Sequence, residues 1–347
     1  MRVIHILQSS HFSGAENVVC QIIKMFTDDK RFEMVYVSRG GTVEPVLEQM
    51  KIPYYRLEKF NIASIRKAID DLKPDIVHAH DISASVLCAL ASIGKKCQVI
   101  SHVHVNNSNM SKLNYKTFLY GIACVRFKHI FWVSDSCFNG FIYKNAISNK
   151  SDVLYNVMSR QSVIEKKEFD TGLYNYDICY VGRITSQKDP DKLVRVLKKT
   201  VELKSDIKIA IVGTGDLEEH TKQIVSDNNL DDNIIFFGFM KNPLRVLEGS
   251  KVMVMTSKYE GLPMTVLEAM ALGVPIVSTP VDGLKTVVFN DKNGYLEADE
   301  DSLARRLIDI VNTTELRQRL SEGSSTIFDE LNNIEKYKKK LIEIYTQ

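Results

Sequence analysis

Short apolar runs alternate with longer, helix-patterned stretches along nearly the whole of this 347-residue chain. An apolar run bounded by turn residues forms a strand buried on both faces, and a helix between two such strands makes them parallel. Repeated βα units of this kind pack as parallel sheets with helices on both faces. The sequence therefore predicts an α/β protein built from doubly wound sheets.

The alternation occurs in two series. The first predicts strands at 2–8, 33–38, 53–56, 75–79, 98–102, 129–133 and 152–155, with helices at 15–27, 43–50, 62–72, 83–93 and 135–147. The second predicts strands at 177–182, 207–212, 233–237, 252–256, 275–278 and 294–296, with helices at 189–203, 217–228, 243–249, 263–272 and 301–311. Two series make two Rossmann-like domains, and we place their boundary in the polar stretch between residues 158 and 176.

Amino-acid composition indicates a globular protein and gives no sign of a membrane-spanning or disulfide-rich one. Hydrophobic residues make up 44% and charged residues 25% of the chain, which is typical of a globular protein. No apolar run reaches the roughly 18 to 20 residues that a membrane-spanning helix needs, and the first residues turn polar too soon for a signal peptide. The six cysteines form no C-x-x-C pair. We therefore expect free thiols, no zinc site and a cytoplasmic location.

Charge is distributed unevenly along the chain. Lys and Arg outnumber Asp and Glu by 19 to 13 in residues 1–158, and are outnumbered by 30 to 26 in the remainder. A positive first half could face an anionic acceptor or an acidic membrane surface, although ordinary surface variation explains it as well. Segment 112–131 mixes aromatic residues with cations, so it is either an interfacial helix or a core-facing helix with solvated lysines. The imbalance is too mild to indicate a nucleic-acid partner.

Two glutamates lie eight residues apart around a glycine turn. Glu260 precedes the turn, and Glu268 lies in the apolar helix that follows. Pro263 suits the first position of that helix, while Gly273 and Pro275 end it. The free N–H groups at such a helix start form a receptive site for phosphate. The arrangement suits one carboxylate near a reacting sugar and one that accepts hydrogen bonds from ribose, unless the two glutamates are incidental to a buried strand–helix–strand unit.

With its glycines and prolines in place, this stretch resembles the E-x7-E signature of retaining glycosyltransferases of family 4, and the similarity extends through nearly the whole chain. The resemblance implies the GT-B fold, in which two Rossmann-like domains face an interdomain cleft. It implies that Glu260 contacts the transferred sugar and that Glu268 holds the ribose. It also implies that the helix start at Gly261 and Leu262 binds the donor diphosphate.

The resemblance also assigns roles to the parts of the chain. It implies an acceptor-side domain at 1–158 and a nucleotide-sugar domain at 159–325. The remaining segment, 326–347, holds a Lys-rich helix, and in GT-B proteins a terminal helix often packs back on the first domain.

A pair of cations follows the first strand of the second series. Gly182 permits a tight exit from the sheet, and Arg183 and Lys188 lie where the strand ends and a helix begins. Fixed cations stabilise the negative charge that develops on a departing diphosphate, without a metal ion. In similar glycosyltransferases the matching Arg and Lys bind that diphosphate. Asp189 then precedes Pro190, which is typical of a helix N-cap rather than of a metal-binding D-x-D motif.

A glycine turn follows the next strand. Gly213 and Gly215 form a G-x-G, but Glu218 stands where a dinucleotide-binding G-x-G-x-x-G motif has its third glycine. In family 4 enzymes this turn approaches the bound nucleotide, and a purely structural turn is the alternative. After the following strand, the resemblance suggests that the base is held near Phe239 and Met240, partly by main chain.

Candidate residues in the first half follow strands in the same way. Gly14 begins a helix and resembles the second position of the family's Gly-Gly loop, with Ser13 in place of the first glycine. His102 and His104 share one face of a strand because they lie two residues apart. Similar enzymes carry a histidine here that contacts the donor sugar, and we favour His104 over His102. His78, like His102, is as readily a hydrogen-bonded core residue, and the histidine spacing does not indicate a metal site.

The chain is therefore predicted to transfer a hexose or N-acetylhexosamine from a nucleotide sugar, expected to be UDP-linked, to a hydroxyl of a glycan or lipid-linked acceptor. We expect catalysis to rest on Glu260, His104, Arg183 and Lys188, with no metal or other cofactor. The resemblance implies retention at the anomeric carbon, a place in bacterial surface or capsular polysaccharide synthesis, and peripheral contact with the cytoplasmic membrane face. Three alternatives remain: a nicotinamide oxidoreductase, a non-catalytic sugar- or partner-binding relative, and a sugar epimerase on the same fold.

Overall fold

The computed structural model describes residues 1–10, 14–104 and 108–347. Ser13, which the sequence aligns with a glycine loop, lies outside the described residues. The chain divides into two compact units, one made of Met1–Val157 with Ile334–Gln347 and the other of Met158–Asn333. The boundary expected at 325/326 falls inside a helix, Thr314–Leu331, and the chain passes between the units two residues after that helix ends.

The first unit is a seven-stranded parallel sheet in the order β3-β2-β1-β4-β5-β6-β7. Its strands are β1 (Arg2–Ile6), β2 (Glu33–Arg39), β3 (Tyr54–Leu57), β4 (Ile76–His80), β5 (Gln98–Val103), β6 (Phe127–Trp132) and β7 (Ser151–Val153). Its helices are α1 (Gly14–Met25), α2 (Glu44–Gln49), α3 (Ile62–Leu72), α4 (Asp81–Ala91), α5 (Tyr115–Cys124), α6 (Asp135–Asn139), α7 (Lys144–Ile147) and, from the chain end, α16 (Ile334–Thr346). The predicted Lys-rich terminal helix is thus part of this unit.

The second unit is a six-stranded parallel sheet in the order β10-β9-β8-β11-β12-β13. Its strands are β8 (Tyr176–Val181), β9 (Ile209–Val212), β10 (Ile234–Gly238), β11 (Ser250–Met255), β12 (Ile276–Ser278) and β13 (Gly294–Leu296). Its helices are α8 (Arg160–Lys167), α9 (Pro190–Leu203), α10 (Glu218–Asp227), α11 (Leu244–Glu248), α12 (Met264–Ala271), α13 (Asp282–Lys285), α14 (Glu300–Asn312) and α15 (Thr314–Leu331).

Both sheets are doubly wound, and this decides where ligands bind. The strand order reverses between β1 and β4 in the first unit and between β8 and β11 in the second. In such sheets the crevice beyond the carboxyl ends of the strands, at the reversal, is the usual binding site. The residues that follow β4, β8 and β11 are therefore placed where such sheets bind ligands.

Local sequence explains most of the element ends. The side chain of Asn61 caps α3 by accepting a hydrogen bond from the Ser64 N–H at 2.9 Å, and Lys73 ends the helix in the left-handed region. In β4 every residue is buried, as expected for a central strand covered on both faces. The core of the second unit centres on branched aliphatic residues of its strands, among them Ile178, Ile209 and Val252.

Three details of the sequence prediction are wrong. The helix predicted at 135–147 is two short helices, α6 and α7, because the chain turns at Gly140. The polar boundary stretch 158–176 contains the helix α8, which begins at Arg160 after the cap Ser159. The helices α13, a single turn of four residues, and α15 lie outside the predicted helices.

The helix inside segment 112–131 has two different faces. In α5 Thr117, Tyr120 and Cys124 are buried against the rest of the unit. Six apolar residues along the opposite side are exposed, with exposed fractions from 46% to 82%: Leu113, Tyr115, Phe118, Leu119, Ile122 and Val125. In the described part of the chain, no helix is both long enough and apolar enough to cross a membrane.

Candidate active site

A buried ion pair lies at the carboxyl ends of β8 and β11. The ammonium group Nζ of Lys188 lies 2.5 Å from Oε1 of Glu260, and the two side chains are only 11% and 7% exposed. Gln187 donates from its amide to the carbonyl of Tyr259 at 3.0 Å and to Oε2 of Glu260 at 3.4 Å. The structure thus joins two residues that lie 72 positions apart in the sequence and that motif reasoning assigned to one site.

Main-chain contacts hold the loops that carry this pair. The hydroxyl of Thr256 donates to the carbonyls of Lys188 and Asp189 at 3.1 and 3.2 Å, and the N–H of Lys258 donates to the carbonyl of Gln187 at 2.9 Å. On the other side, the Tyr180 hydroxyl donates to the carbonyl of Arg183 at 2.8 Å. The bonds of Thr256 and Lys258 fix the loop after β8 against the loop after β11, so the backbone that carries Lys188 is held in place.

The helix cap predicted at Asp189 is confirmed. The carboxylate of Asp189 accepts from the Lys192 N–H at 3.4 Å, and Pro190 occupies the first turn of α9. Asp189 itself adopts a left-handed conformation, with φ of 52°. Its side chain is thus used for the helix cap.

The turn between Glu260 and Glu268 differs from the prediction in one respect. Pro263 is the N-cap, with an extended backbone at ψ of 131°, and α12 begins at Met264 rather than at the proline. Among the residues that the structure describes, no side chain caps the start of α12. Gly273 follows the end of α12 in the left-handed region, with φ of 71°, so the predicted stop of the helix is confirmed. The helix start therefore presents backbone N–H groups, as the phosphate-site interpretation requires.

Sequence reasoning missed Gly283, which packs against this turn. A Cβ atom at Gly283 would lie 1.2 Å from the carbonyl oxygen of Gly261 and 2.9 Å from that of Glu260. Only glycine allows α13 to approach the turn this closely. No pattern in the chain signals this requirement, because the two segments are far apart in sequence.

Glu268 lies on α12. The residue is partly exposed, but its carboxyl group is largely shielded from water. Burial raises the pKa of its carboxyl to about 7, and the charge of Lys166 opposes that rise. A carboxylate that is so easily protonated gains from hydrogen-bond donors that stabilise its charged form. Ribose hydroxyls are donors of this kind.

The G-x-G turn is required for packing. Gly213 has φ of 135°, and a Cβ there would lie 1.9 Å from the carbonyl oxygen of Gly182. A Cβ at Gly215 would lie 2.1 Å from the carbonyl oxygen of Ile184. Both glycines therefore let the loop after β9 lie directly on the loop after β8, and neither needs the third glycine of a dinucleotide motif.

The remaining candidates of the second unit lie beyond the strand ends. Arg183 is exposed, and among the described residues its guanidinium forms no ion pair. Phe239 follows β10 and is 69% exposed, with Met240 next to it. Leu262 is buried under the turn. A cation and an aromatic ring are thus available at the carboxyl edge of the sheet, together with the buried ion pair.

The first unit contributes a cluster of buried histidines that the sequence revealed only in part. His5, His78, His80, His102 and His104 are all at most 7% exposed. Strand pairing places His5 beside His78 and His80 beside His102, so the rings lie on one face of the sheet. The rings of His102 and His104 stack with centroids 4.2 Å apart, as the two-residue spacing predicts. His5 was missed because only the β1–β4 pairing brings it to the others.

Three of these histidines form a hydrogen-bonded chain. Nδ1 of His5 lies 3.0 Å from Nε2 of His80, and Nδ1 of His80 lies 2.8 Å from Nε2 of His104. His78 contacts the hydroxyl of Tyr345 in α16 at 2.8 Å. Burial lowers the pKa of His5 and of His104 to about 3 and holds that of His80 well below its usual value, so the rings are neutral near pH 7.

A polar cavity of about 330 Å³ opens beside this chain. Its lining includes His80 and Asp81 from the end of β4. Asp81 has φ of 66°, and its Oδ1 accepts from the backbone N–H of His104 at 3.0 Å. Burial raises the pKa of the Asp81 carboxyl to about 6. The other lining residues are Leu7, Gln8, Ser9, Glu16 and Arg39. A Cβ atom added at Gly14, the first residue of α1, would have no described atom within 4 Å.

The histidines come close enough to share a metal ion, which their spacing along the chain did not indicate. One group is His5, His78 and His80, and the other is His80, His102 and His104, with ligand atoms within 4.8 Å of one another in each group. The two contacts of 2.8 and 3.0 Å, however, have the length of hydrogen bonds and therefore hold protons. Metal binding would have to displace those protons.

Comparison with known protein families assigns the chain to a family of glycosyltransferases. The family model described as Glycosyltransferase Family 4 matches residues 12–158, and the model described as Glycosyl transferases group 1 matches residues 163–326. The chain belongs to glycosyltransferase family 4. The family resemblance predicted from the E-x7-E stretch is thereby confirmed, and the alternative of a nicotinamide oxidoreductase is not favoured.

Related glycosyltransferases and a solved structure agree with this assignment. The lipopolysaccharide 1,6-galactosyltransferase of Escherichia coli K12 is 25% identical over 83% of this chain and 82% of its own length. The capsular polysaccharide biosynthesis glycosyltransferase CapH of Staphylococcus aureus is 24% identical over 95% of each chain. The structure of HepE from Anabaena in complex with UDP-glucose is 18% identical and superposes with a TM-score of 0.86, over 100% of this chain and 99% of that one. The predicted GT-B fold is confirmed.

Proposed function

We propose that this glycosyltransferase transfers a hexose or N-acetylhexosamine from a UDP-sugar to a hydroxyl group of a glycan or lipid-linked acceptor, with retention at the anomeric carbon. The observation that carries the proposal is the buried pair of Lys188 and Glu260 beside the start of α12. The complex of HepE with UDP-glucose supports the choice of nucleotide. The similarity to CapH and to the lipopolysaccharide galactosyltransferase supports a role in bacterial surface polysaccharide synthesis.

The second unit stabilises the leaving group in this proposal. The bond between the anomeric carbon and the diphosphate breaks, and negative charge develops on the phosphate oxygens. Lys188 and Arg183 neutralise that charge, and the backbone N–H groups near Gly261 and Leu262 donate to it. Because Lys188 is held by Glu260 and by the bonds of its loop, it needs little reorganisation in the transition state.

The remaining steps of the proposed reaction are the binding of the transferred sugar and the attack by the acceptor. Glu260 contacts the transferred sugar while it holds Lys188, and Glu268 accepts hydrogen bonds from the ribose. The acceptor hydroxyl attacks the anomeric carbon from the face that the diphosphate leaves, and its proton passes to a phosphate oxygen. The new bond then has the configuration of the old one, and no covalent sugar–enzyme intermediate is needed. The base packs near Phe239 and Met240, and His104 contacts a substrate hydroxyl.

The proposal includes metal-independent chemistry, because two cations and a helix start supply the charge that a metal ion supplies elsewhere. Incubation of the protein with a panel of nucleotide sugars in excess EDTA should release UDP from at least one UDP-hexose. Release that requires added Mg²⁺ or Mn²⁺ would refute the metal-independent chemistry. Binding of donors without any release, with polysaccharide acceptors present, would favour a non-catalytic relative.

We propose that the exposed side of α5 attaches the enzyme to an anionic membrane surface, where lipid-linked acceptors are found. Phe118 and Ile122 lie one helical turn apart on that side, and Lys112 and Lys116 next to them are exposed. Apolar residues flanked by cations are the pattern of a helix that lies in the headgroup region. Burial of each large apolar side chain contributes about 1.5–3 kcal/mol.

The double substitution Phe118→Glu/Ile122→Glu should therefore weaken binding to vesicles with anionic lipid by about 100-fold or more. Exposed positions tolerate such changes with little loss of fold stability. Co-sedimentation with phosphatidylglycerol-containing vesicles measures this, and Phe169→Glu, at an exposed aromatic residue of the other unit, is the matched control. Equal binding by the double variant and the control would refute the role of α5.

A further inference from the structure

Within the described part of the chain, the ring of His102 forms no hydrogen bond on either side. Both Nδ1 and Nε2 are buried, and the residue as a whole is 0% exposed. A neutral imidazole carries one N–H and one bare lone pair, so a donor and an acceptor are left unsatisfied together. Such a loss is costly inside a protein, and an ion or a water molecule bound beside the ring explains it.

The neighbours of His102 are two more side chains that bind metals. His80, His102 and His104 each offer one ring nitrogen, and these three atoms lie within 4.8 Å of one another. Pairing of β4 with β5 places His80 opposite His102, and the ring of His104 stacks on that of His102 with centroids 4.2 Å apart. The three imidazoles converge only because two strands pair, which is why their spacing along the chain does not indicate a metal site.

An outer layer of hydrogen bonds prepares His80 to bind a cation. Nε2 of His5 lies 3.3 Å from the sulfur of Met34, which can only accept a hydrogen bond, so His5 donates from Nε2. Nδ1 of His5 is then bare and accepts from Nε2 of His80 at 3.0 Å. His80 therefore keeps its proton on Nε2 and has a bare Nδ1. Metal-binding histidines typically donate from their second ring nitrogen in this way.

We propose that His80, His102 and His104 bind one Zn²⁺ ion in the first unit. Three imidazoles with an open fourth position suit tetrahedral Zn²⁺, whereas Mg²⁺ and Ca²⁺ prefer oxygen ligands. His80 also lines the polar cavity of about 330 Å³, through which the ion and a water molecule as fourth ligand can enter. Asp81 lines the same cavity and accepts from the His104 N–H at 3.0 Å, so an acidic group lies beside the site.

Zinc binding changes one hydrogen bond of the metal-free protein. Nε2 of His104 lies 2.8 Å from the bare Nδ1 of His80 and donates its proton there. Ligands of tetrahedral Zn²⁺ at about 2.0–2.1 Å lie roughly 3.3–3.4 Å from one another, so an ion between these two nitrogens moves them apart by about 0.5 Å. The proton of His104 passes to its own Nδ1, and all three rings stay neutral. Binding therefore releases no proton from the rings.

Titration of the metal-free protein with Zn²⁺ tests the site. After treatment with EDTA and its removal, we expect the intact protein to bind one equivalent of Zn²⁺. Its unfolding temperature should rise with the Zn²⁺ concentration, because the ion binds only the folded site. Co²⁺ in the same site should give the intense visible absorption of a tetrahedral complex. Absence of binding, or an octahedral Co²⁺ spectrum, would overturn the proposal.

His102→Leu removes a ligand without breaking a hydrogen bond of the described structure. The unfolding temperature without zinc should therefore not fall. Zinc binding should weaken by about 100-fold or more, since loss of an outer partner alone costs about 10- to 100-fold. If this variant does not fold, the wild-type titration and the Co²⁺ spectrum still decide.

His220→Gln is the control for zinc bound at the surface. His220 lies 2.8 Å from Asp191 in an exposed pair of the other unit, which offers an adventitious ion two ligands. This variant should bind Zn²⁺ as tightly as the wild type. Zinc lost in His220→Gln and kept in His102→Leu would place the ion on the surface and refute the histidine site.

His5→Leu tests the outer layer of hydrogen bonds. The leucine cannot accept from Nε2 of His80, so Zn²⁺ should bind about 10- to 100-fold more weakly. Equal affinity would show that His5 does not prepare His80.

The zinc site and the proposed transfer reaction fail independently. Zinc binding, Co²⁺ absorption and unfolding are all measured without a donor sugar. Lack of UDP release from any donor would refute the proposed function and leave a measured zinc site intact. Lack of zinc binding, with UDP released in excess EDTA, would refute the zinc site and leave the proposed function intact.

Discussion

Replacement of Lys188 by alanine should lower the rate of sugar transfer by about a hundred- to a thousandfold, the usual cost of losing one fixed group that stabilises transition-state charge. The variant should also unfold more easily. Glu260 would keep its buried carboxylate without its partner, and breaking a buried pair in this way typically costs roughly 3–5 kcal/mol. UDP release and thermal unfolding measure the two effects.

The two effects can be separated with further substitutions. Lys188→Met with Glu260→Gln removes both charges and keeps side chains of similar size, so it should recover most of the stability that Lys188→Ala loses. The same double variant should remain inactive, because neither the cation nor the carboxylate is present. Recovery of transfer in the double variant would mean that Lys188 only prevents an unpaired charge at Glu260.

Lys192→Ala is the control for loss of a lysine. Lys192 lies one turn further along α9, where its ammonium donates to the carbonyl of Ala298 at 2.7 Å, away from the ion pair. Transfer by this variant should be close to that of the wild type. If Lys188→Ala and Lys192→Ala transferred sugar equally well, the site would lie elsewhere.

Local sequence was sufficient to predict the sheets. All thirteen strands of the described structure were predicted with ends shifted by a few residues, because buried parallel strands are continuous apolar runs. The N-cap of α9 at Asp189 and the end of α12 at Gly273 could also be predicted, because each depends on neighbouring residues in the chain. The start of α12 was misplaced by one residue because proline suits both the cap and the first helical position.

Contacts between segments that are distant in the chain could not be predicted from the sequence. That Lys188 and Glu260 belong to one site was expected only through the family resemblance, and their ion pair was not predicted, because nothing in either segment indicates the other. His5 looked like an ordinary polar residue in an apolar strand until the β1–β4 register placed it against His78 and His80. The exposed side of α5 is another example, because periodicity cannot tell which apolar side of a helix lacks a partner.

Gly283 shows how strongly such a distant contact can control the site. In Gly283→Ala the new Cβ would lie 1.2 Å from the Gly261 carbonyl oxygen, whereas ordinary contact begins at 3.4 Å. The oxygen belongs to the backbone and the Cβ position is fixed by the backbone of residue 283, so no side-chain rotation relieves the clash. The turn after Glu260 must move away from α13 by about 2 Å, and a shift of about 1 Å in a catalytic group can cost 100-fold in rate.

We therefore expect Gly283→Ala to lower the rate of transfer by at least about 100-fold. Binding of UDP should weaken as well, because the N–H groups near Gly261 and Leu262 that donate to the diphosphate in our proposal move with the turn. Titration with UDP and UDP release from the donor measure the two quantities separately. Asp282→Ala removes only an exposed pair with Lys285, so it controls for substitution in α13. A large drop in the unfolding temperature would indicate general loss of structure instead, and full activity would show that the turn after Glu260 takes no part in transfer.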